Sequence, residues 1–155
     1  MIGPQRLTGR IRVARPPAEA FCLFTARGEQ DWAPGWHPAF PAETPDDTEP
    51  GTVFGTGGHG QPGAHGQATI WVVTDRQPGR RISYARVTPG DRAGTVTVTL
   101  SPAGQHGEAS DVEVTYQLTA LSAAAQPGLR EFADGYAAYL QSWQDAISGW
   151  LGTAG

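Results

Sequence analysis

The sequence reads PPAEAFCLFT over residues 16–25 and EQDWAPGWHP over residues 29–38. This stretch follows one alternating segment, Gln5–Val13, whose period of two is typical of a half-buried strand. The two prolines at its start end that strand and are tolerated in the first turn of a helix. Ala20, Phe21 and Phe24 then predict a short helix with one apolar face. Further prolines prevent a long helix and leave an irregular strip that carries Trp32, Trp36 and His37.

In the rest of the chain the spacing of apolar residues changes once, from a strand-like to a helical period. Strand-like segments are predicted at residues 52–56, 67–75, 81–88, 95–100 and 111–119, separated by turns rich in Gly and Pro. In the segment 67–75 the apolar residues are nearly continuous, which predicts apolar neighbours on both faces. From about Pro127 the apolar residues recur every 3.6 positions, and this pattern predicts one long C-terminal helix that ends at Gly152. We expect an α+β fold in which a curved antiparallel sheet of six or seven strands wraps around that helix.

Composition limits the function classes. A chain of 155 residues fits one domain, residues 1–155, and its 21 Gly, 13 Pro and 17% charged residues favour a turn-rich β protein. The net charge of −4 argues against a nucleic-acid partner. All basic residues are Arg, so lysine chemistry such as Schiff-base formation is excluded. No segment is apolar and long enough to span a membrane or resembles a signal peptide, and we expect a cytoplasmic protein.

Several motifs have simpler explanations than catalysis. Gly55–Gly60 matches G-x-G-x-x-G, but a proline and a strand follow it instead of the helix that a dinucleotide site requires. His59 and His65 are close in sequence without the spacing of a metal site, so we expect neither a metal nor another cofactor. No serine lies in a nucleophile elbow. The single Cys22 lies in an apolar run, which predicts a buried, inert thiol.

The order of these segments resembles that of the START-like, or helix-grip, superfamily (SRPBCC), which includes birch-pollen-allergen-like proteins and polyketide cyclases/dehydrases. The sequence Ile11-x-Val13-x-x-Pro16-Pro17-x-x-x-Phe21 resembles the entry from strand to helix in that superfamily, and Val114-Thr115-Tyr116-x-Leu118-Thr119 resembles one of its later strands. The resemblance covers nearly the whole chain. It implies an apolar cavity between the sheet and the C-terminal helix, without identifying the ligand.

Aromatic and polar residues scattered along the chain are candidates for the wall of that cavity. Tyr and His side chains are informative because a buried hydroxyl or imidazole needs a hydrogen-bond partner, which a ligand can supply. On the segment 81–88 neither face is clearly the apolar one, so the sequence leaves open whether Arg86 points inward, where it would suit a carboxylate, enolate or phenolate. The predicted ligand-pocket residues are Trp32, Trp36, His37, Phe54, Trp71, Tyr84, Arg86, Tyr116, Phe132 and Tyr136.

Two functions remain open at this point. The first is binding of a small apolar or aromatic molecule. The second is a polyketide cyclase, aromatase or dehydratase that uses the same cavity, with Arg86, Tyr84, Tyr116 and His37 polarising a carbonyl and moving a proton. The sequence assigns no catalytic residue and favours binding, with the enzyme as the alternative. It also leaves open a homodimer, since Trp150 near the chain end could pack internally or against a second copy.

Overall fold

The computed structural model describes residues 2–57 and 68–154. These residues form a six-stranded sheet with the order β1-β6-β5-β4-β3-β2, in which every neighbouring pair is antiparallel. The sheet and the helices that it grips confirm the predicted α+β helix-grip architecture. The strands are β1 (Gln5–Val13), β2 (Val53–Gly57), β3 (Ala68–Gln77), β4 (Arg81–Thr88), β5 (Arg92–Ala103) and β6 (Ala109–Ala120).

The inner face of the sheet carries the core because apolar residues alternate along its central strands. On β5, Val96, Val98 and Leu100 are buried, whereas the threonines between them face outward. Both β5 and β6 extend beyond the predicted ranges, because their pairing continues to Ala103↔Ala109 after the alternation in sequence has ended. Their ladder is therefore the longest in the sheet.

Strand β3 contains an irregularity that bends the sheet. Its register against β4 shifts between Val73 and Asp75, as expected at a β-bulge. Apolar neighbours were predicted on both faces of this strand; on the outer face Ile70 pairs with Val87 across the strands, yet it is 45% exposed. The opposite face of β3 presents Trp71 and Val73 to the interior.

The helices close the inner face. After β1 come helix α1 (Pro17–Ala20) and two 3₁₀ turns, Phe21–Phe24 and Gly28–Asp31. At the C-terminal end a further 3₁₀ turn, Ala123–Ala125, precedes helix α2 (Gln126–Asp134), and helix α3 (Tyr136–Ala154) follows.

The prediction of a single C-terminal helix is wrong in two details. The helix is interrupted at Gly135, whose backbone angles, φ −95° and ψ 9°, leave the helical region. Glycine has a low helix propensity because its backbone loses the most conformational freedom in a helix. Helix α3 also continues past Gly152 to Ala154, since a glycine within the last turn weakens a helix without forbidding it.

Helix α3 packs mainly on β1. Gly9 permits this close approach, because a Cβ atom built there would lie 2.5 Å from Cδ1 of Leu140. Leu140 fills the contact and is almost fully buried. The helix is thereby held at one edge of the sheet.

Three surface features complete the fold. Cys22 is exposed, so the prediction of a buried thiol is wrong; it lies in the 3₁₀ turn whose other three residues point inward. Arg10 and Arg12 occupy the outer face of β1 and pair with Glu113 and Asp111 on β6. Among the described residues, no helix has the length and hydropathy that a membrane span needs.

Candidate functional site

A cavity of about 450 Å³ opens between the inner face of the sheet and helix α3. Strands β3 to β6 contribute one wall, the second 3₁₀ turn and the irregular strip after it contribute another, and α2 and α3 contribute the third. Of the predicted pocket residues, Arg86 lines this cavity together with the aromatic side chains of Trp32, Trp36, Trp71, Tyr84, Tyr116 and Phe132.

The other predicted residues do not line the cavity. Phe54 is 1% exposed and lies behind the wall, stacked on Trp71 with ring centroids 5.8 Å apart. Tyr136 is buried on the side of α3 that faces β6, and its hydroxyl donates to the carbonyl oxygen of Val114 at 2.6 Å. His37 is exposed. It follows Gly35, whose φ of +74° turns the chain, and Trp36, which points inward.

The tryptophans of the wall are fixed by hydrogen bonds to the protein. The indole nitrogen of Trp32 donates to the carbonyl oxygen of Leu23 at 2.8 Å, and that of Trp36 donates to the carbonyl oxygen of Ala26 at 2.7 Å. The indole of Trp71 donates to Oγ1 of Thr56 at 2.9 Å. These side chains therefore offer the cavity mainly their aromatic surfaces.

The tyrosines are fixed to different degrees. The hydroxyl of Tyr84 donates to the carbonyl oxygen of Phe24 at 2.7 Å and so ties β4 to the first 3₁₀ turn. The hydroxyls of Tyr116 and Tyr139 lie 3.5 Å apart, a longer contact that leaves both able to bond to a ligand. Burial raises the pKa of Tyr84, Tyr116 and Tyr139, so all three are neutral hydrogen-bonding groups near pH 7.

Arg86 brings a positive charge to the cavity wall. It stands opposite Trp71 on β3 and Gly94 on β5, and its guanidinium lies 5.5 Å from the centroid of the Trp71 ring. Nη2 donates to Oγ1 of Thr88 at 2.6 Å, and Nε is buried without a hydrogen-bond partner among the described residues. Burial lowers the pKa of Arg86, although an arginine remains charged at any physiological pH.

Glu29 brings a carboxyl group to the same cavity. It belongs to the second 3₁₀ turn and is partly enclosed by the wall. No hydrogen bond or ion pair reaches its carboxyl group from the described part of the chain. Burial raises the pKa of Glu29 well above its ordinary value, because an ionised carboxylate is poorly solvated there. The cavity therefore contains a carboxyl group that tends to keep its proton.

Sequence reasoning did not assign several cavity residues to the site. Arg92 lies on the inner parity of β5 with Val96 and Val98, so extending the alternation of that strand backward could have found it. Tyr139 was among the aromatic residues considered for the cavity wall but not among the predicted pocket residues, and Trp143 follows it one turn later on α3, so helical spacing could have indicated it. The sequence indicates Glu29 as an acid near the mouth of the cavity, but its burial depends on the tertiary fold and could not be predicted.

Residues 2–57 and 68–154 contain no group of three His, Cys, Asp or Glu side chains that could hold a metal ion. His59, His65 and the end of the glycine-rich motif lie outside the described residues.

Comparisons with solved structures agree with this architecture. The chain is 16% identical to DynU16, a protein in the dynemicin biosynthetic locus, with a TM-score of 0.65 over 96% of this chain and 48% of that one. It thus spans about half the length of DynU16. CalU16 from Micromonospora echinospora is 18% identical, with a TM-score of 0.59 over 95% of this chain and 87% of that one. Norcoclaurine synthase from Thalictrum flavum is 14% identical, with a TM-score of 0.65 over 96% and 87%.

At these identities the solved structures establish the fold alone. No curated protein matches the chain in sequence. A family profile does match, over residues 4–142, and its description is polyketide cyclase/dehydrase and lipid transport. The matched range runs from the start of the sheet into α3 and includes every cavity residue named above except Trp143. The chain therefore belongs to the polyketide cyclase/dehydrase and lipid transport family.

Proposed function

We propose that the protein binds a small apolar or aromatic molecule inside this cavity. The observation that carries the proposal is a volume of about 450 Å³ walled by aromatic rings whose indole N–H groups already bond to the protein. Such a volume lies in the usual range of sites for small molecules, which are mostly apolar with a few polar groups. Family membership supports the same function class.

A variant that fills the cavity tests this proposal. Ala146 lines the cavity from α3, so Ala146→Phe should occupy the space that a ligand needs. The matched control is Ala138→Phe, because Ala138 is an exposed residue of the same helix. With the neutral fluorescent probe N-phenyl-1-naphthylamine, we expect binding to the wild type and to Ala138→Phe, and a loss of at least about tenfold in affinity for Ala146→Phe. Unchanged affinity in a folded Ala146→Phe protein would contradict the proposal.

A search for a natural occupant complements the probe. Native mass spectrometry of the purified wild type should reveal a bound small molecule, which the Ala146→Phe protein should lack. The same molecule at equal occupancy in both proteins would place its binding site elsewhere on the chain.

The second candidate function is catalysis of proton transfer of the kind that a cyclase, aromatase or dehydratase performs. Glu29 favours it, because a carboxyl group that has no partner among the described residues and whose pKa is raised by burial can act as a general acid or base. Arg86 would stabilise the enolate that forms when a proton leaves the carbon next to a carbonyl. Positioned acid–base groups of this kind contribute roughly 10²–10⁴-fold in rate.

Hydrogen–deuterium exchange of 2-tetralone tests the second function, because the ketone is small, aromatic and enolisable. NMR in deuterated buffer should show faster exchange with the wild type than with Glu29→Gln, whereas Asp31→Asn, an exposed acid in the same 3₁₀ turn, should match the wild type. The accelerated rate should rise with pH as Glu29 loses its proton, at a pH above the ordinary pKa of a glutamate. Equal rates for the wild type and Glu29→Gln would exclude Glu29 from this role.

A further inference from the structure

The two arginines of the cavity differ in how their charges are balanced. Arg92 forms an ion pair with Asp91, with Nε 3.0 Å from the carboxylate oxygen, and its guanidinium lies 5.6 Å from the centroid of the Phe132 ring. Arg86 takes part in none of the ion pairs among the described residues, which involve Arg10, Arg12, Arg76, Arg81 and Arg92. One positive charge in the cavity thus lacks a negative partner from the described chain.

The contacts that Arg86 does make leave part of its guanidinium unsatisfied. Trp71 covers one face, and Thr88 accepts one of its five N–H groups. The hydroxyl of Thr88 is itself 2.5 Å from that of Thr69, which holds this anchor in place. Nε remains buried without a partner among the described residues. Because a buried charge and a buried donor are both costly to leave unpaired, this arrangement suits a group that arrives from outside the chain.

The charges around the cavity indicate the sign and the size of the charge that this group carries. Arg92 stands near enough to raise the positive potential at Arg86, although Asp91 offsets part of its charge. The acid of the cavity, Glu29, does not pair with Arg86 and, where burial keeps it protonated, carries no charge of its own. The charge of Arg86 is therefore the one positive charge that these residues leave without a negative partner, and it lies in an aromatic enclosure.

We infer that the occupant is an aromatic monoanion whose carboxylate or enolate oxygens bind to the guanidinium of Arg86, with its rings against the neighbouring aromatic wall. This inference rests on the proposed binding function and narrows it to one class of ligand. Thr88 and Trp71 hold the guanidinium in place before the ligand arrives, so little side-chain entropy is lost on binding.

Two isosteric probes, 2-naphthoate and 2-naphthamide, test the inference by isothermal titration calorimetry at pH 7. They share the ring system and differ by one charge. The wild type should bind naphthoate roughly 10- to 100-fold more tightly than naphthamide, which is the range for hydrogen bonds to charged groups. In Arg86→Met this preference should fall to within about twofold, and the affinity for naphthamide should stay close to that of the wild type.

Arg81→Met is the matched control. Arg81 lies on the same strand, its charge is paired with Asp75, and it does not line the cavity, so this variant should keep the preference for naphthoate. Arg86→Gln provides a second test of the same position should the Met variant not fold. Equal binding of the two probes by the wild type, or an unchanged preference in a folded Arg86 variant, would overturn the inference and leave the binding function standing. If the wild type binds neither probe, this result would contradict both the inference and the proposed binding function.

Discussion

Helix α3 meets the sheet differently on its two sides. On the side of β1 it is in direct contact, with Gly9 allowing the approach and with Leu140 buried in the interface. On the side of β3 to β5, Tyr139, Trp143 and Ala146 face the cavity. One helix therefore contributes both to the core and to the cavity wall, and the two tasks fall on residues that are adjacent in sequence, such as Tyr139 and Leu140, and point to different sides of the helix. Stability and ligand binding should accordingly respond to different substitutions along the same helix.

The largest expected effect lies on the packed side. Leu140→Ala removes a side chain that is 3% exposed and packs against Gly9, and it should lower the free energy of unfolding by about 2–5 kcal/mol. Val98→Ala, on the open side, borders space that already exists and should cost about 1–2 kcal/mol, close to the transfer free energy of the lost methyl groups. Urea denaturation of both variants checks the difference. Equal losses would mean that the two sides of the helix are packed alike.

An intermediate effect is expected for two buried tyrosines, one on each side. Tyr84→Phe and Tyr136→Phe each remove a hydrogen bond to a backbone carbonyl, and each should lower the free energy of unfolding by about 1–2 kcal/mol. Only Tyr84→Phe should also weaken binding of N-phenyl-1-naphthylamine, because Tyr84 ties the cavity wall on β4 to the first 3₁₀ turn. Denaturation and probe titration of both variants separate the two effects. A similar loss of affinity in Tyr136→Phe would contradict the assignment of Tyr136 to the packed side of the helix, away from the cavity.

The smallest expected effect depends on pH. The pKa of Glu29 is higher in the folded state than in the unfolded chain. As the pH rises between these two values, the unfolded chain loses the proton first, so the free energy of unfolding falls until the folded pKa is passed. Glu29→Gln should therefore melt at a higher temperature than the wild type at pH 8. The gap should close as the pH drops below about 4.3, the ordinary pKa of a glutamate. Thermal melts across this range, with Asp31→Asn as the control, provide the measurement; a gap that widens at low pH would contradict the assignment.

The sequence was sufficient for the architecture because the decisive signals are local. The alternation of β1, β5 and β6 and the apolar stripe of the C-terminal helices predicted which faces meet, as did the resemblance to helix-grip proteins. The interruption at Gly135 was missed because the stripe continues through it, from Phe132 to Tyr136. A periodic pattern reports which face is apolar, not whether every backbone bond along it is formed.

The site could be predicted only in part, because its polar members depend on distant segments. The orientation of Arg86 was open since Tyr84 and Val87 lie on opposite faces of the same strand, and its place on the inner face follows from its pairing with Trp71 and Gly94. His37 was expected in the pocket because it belongs to the aromatic strip, yet it is exposed beside Trp36. Whether a residue of an irregular segment points inward is decided by hydrogen bonds such as that of Trp36 to Ala26, which sequence spacing does not encode.

The hydrogen bonds of the wall tryptophans have a consequence for changing what the protein accepts. Because Trp32, Trp36 and Trp71 direct their N–H groups to the protein, we expect this wall to select a bound ligand by its shape and not by its functional groups. Discrimination is left to the few polar side chains that remain, chiefly at positions 29 and 86. A mutant library confined to these two positions should redirect ligand preference while the enclosing walls stay intact, so new specificities need little rebuilding of the fold.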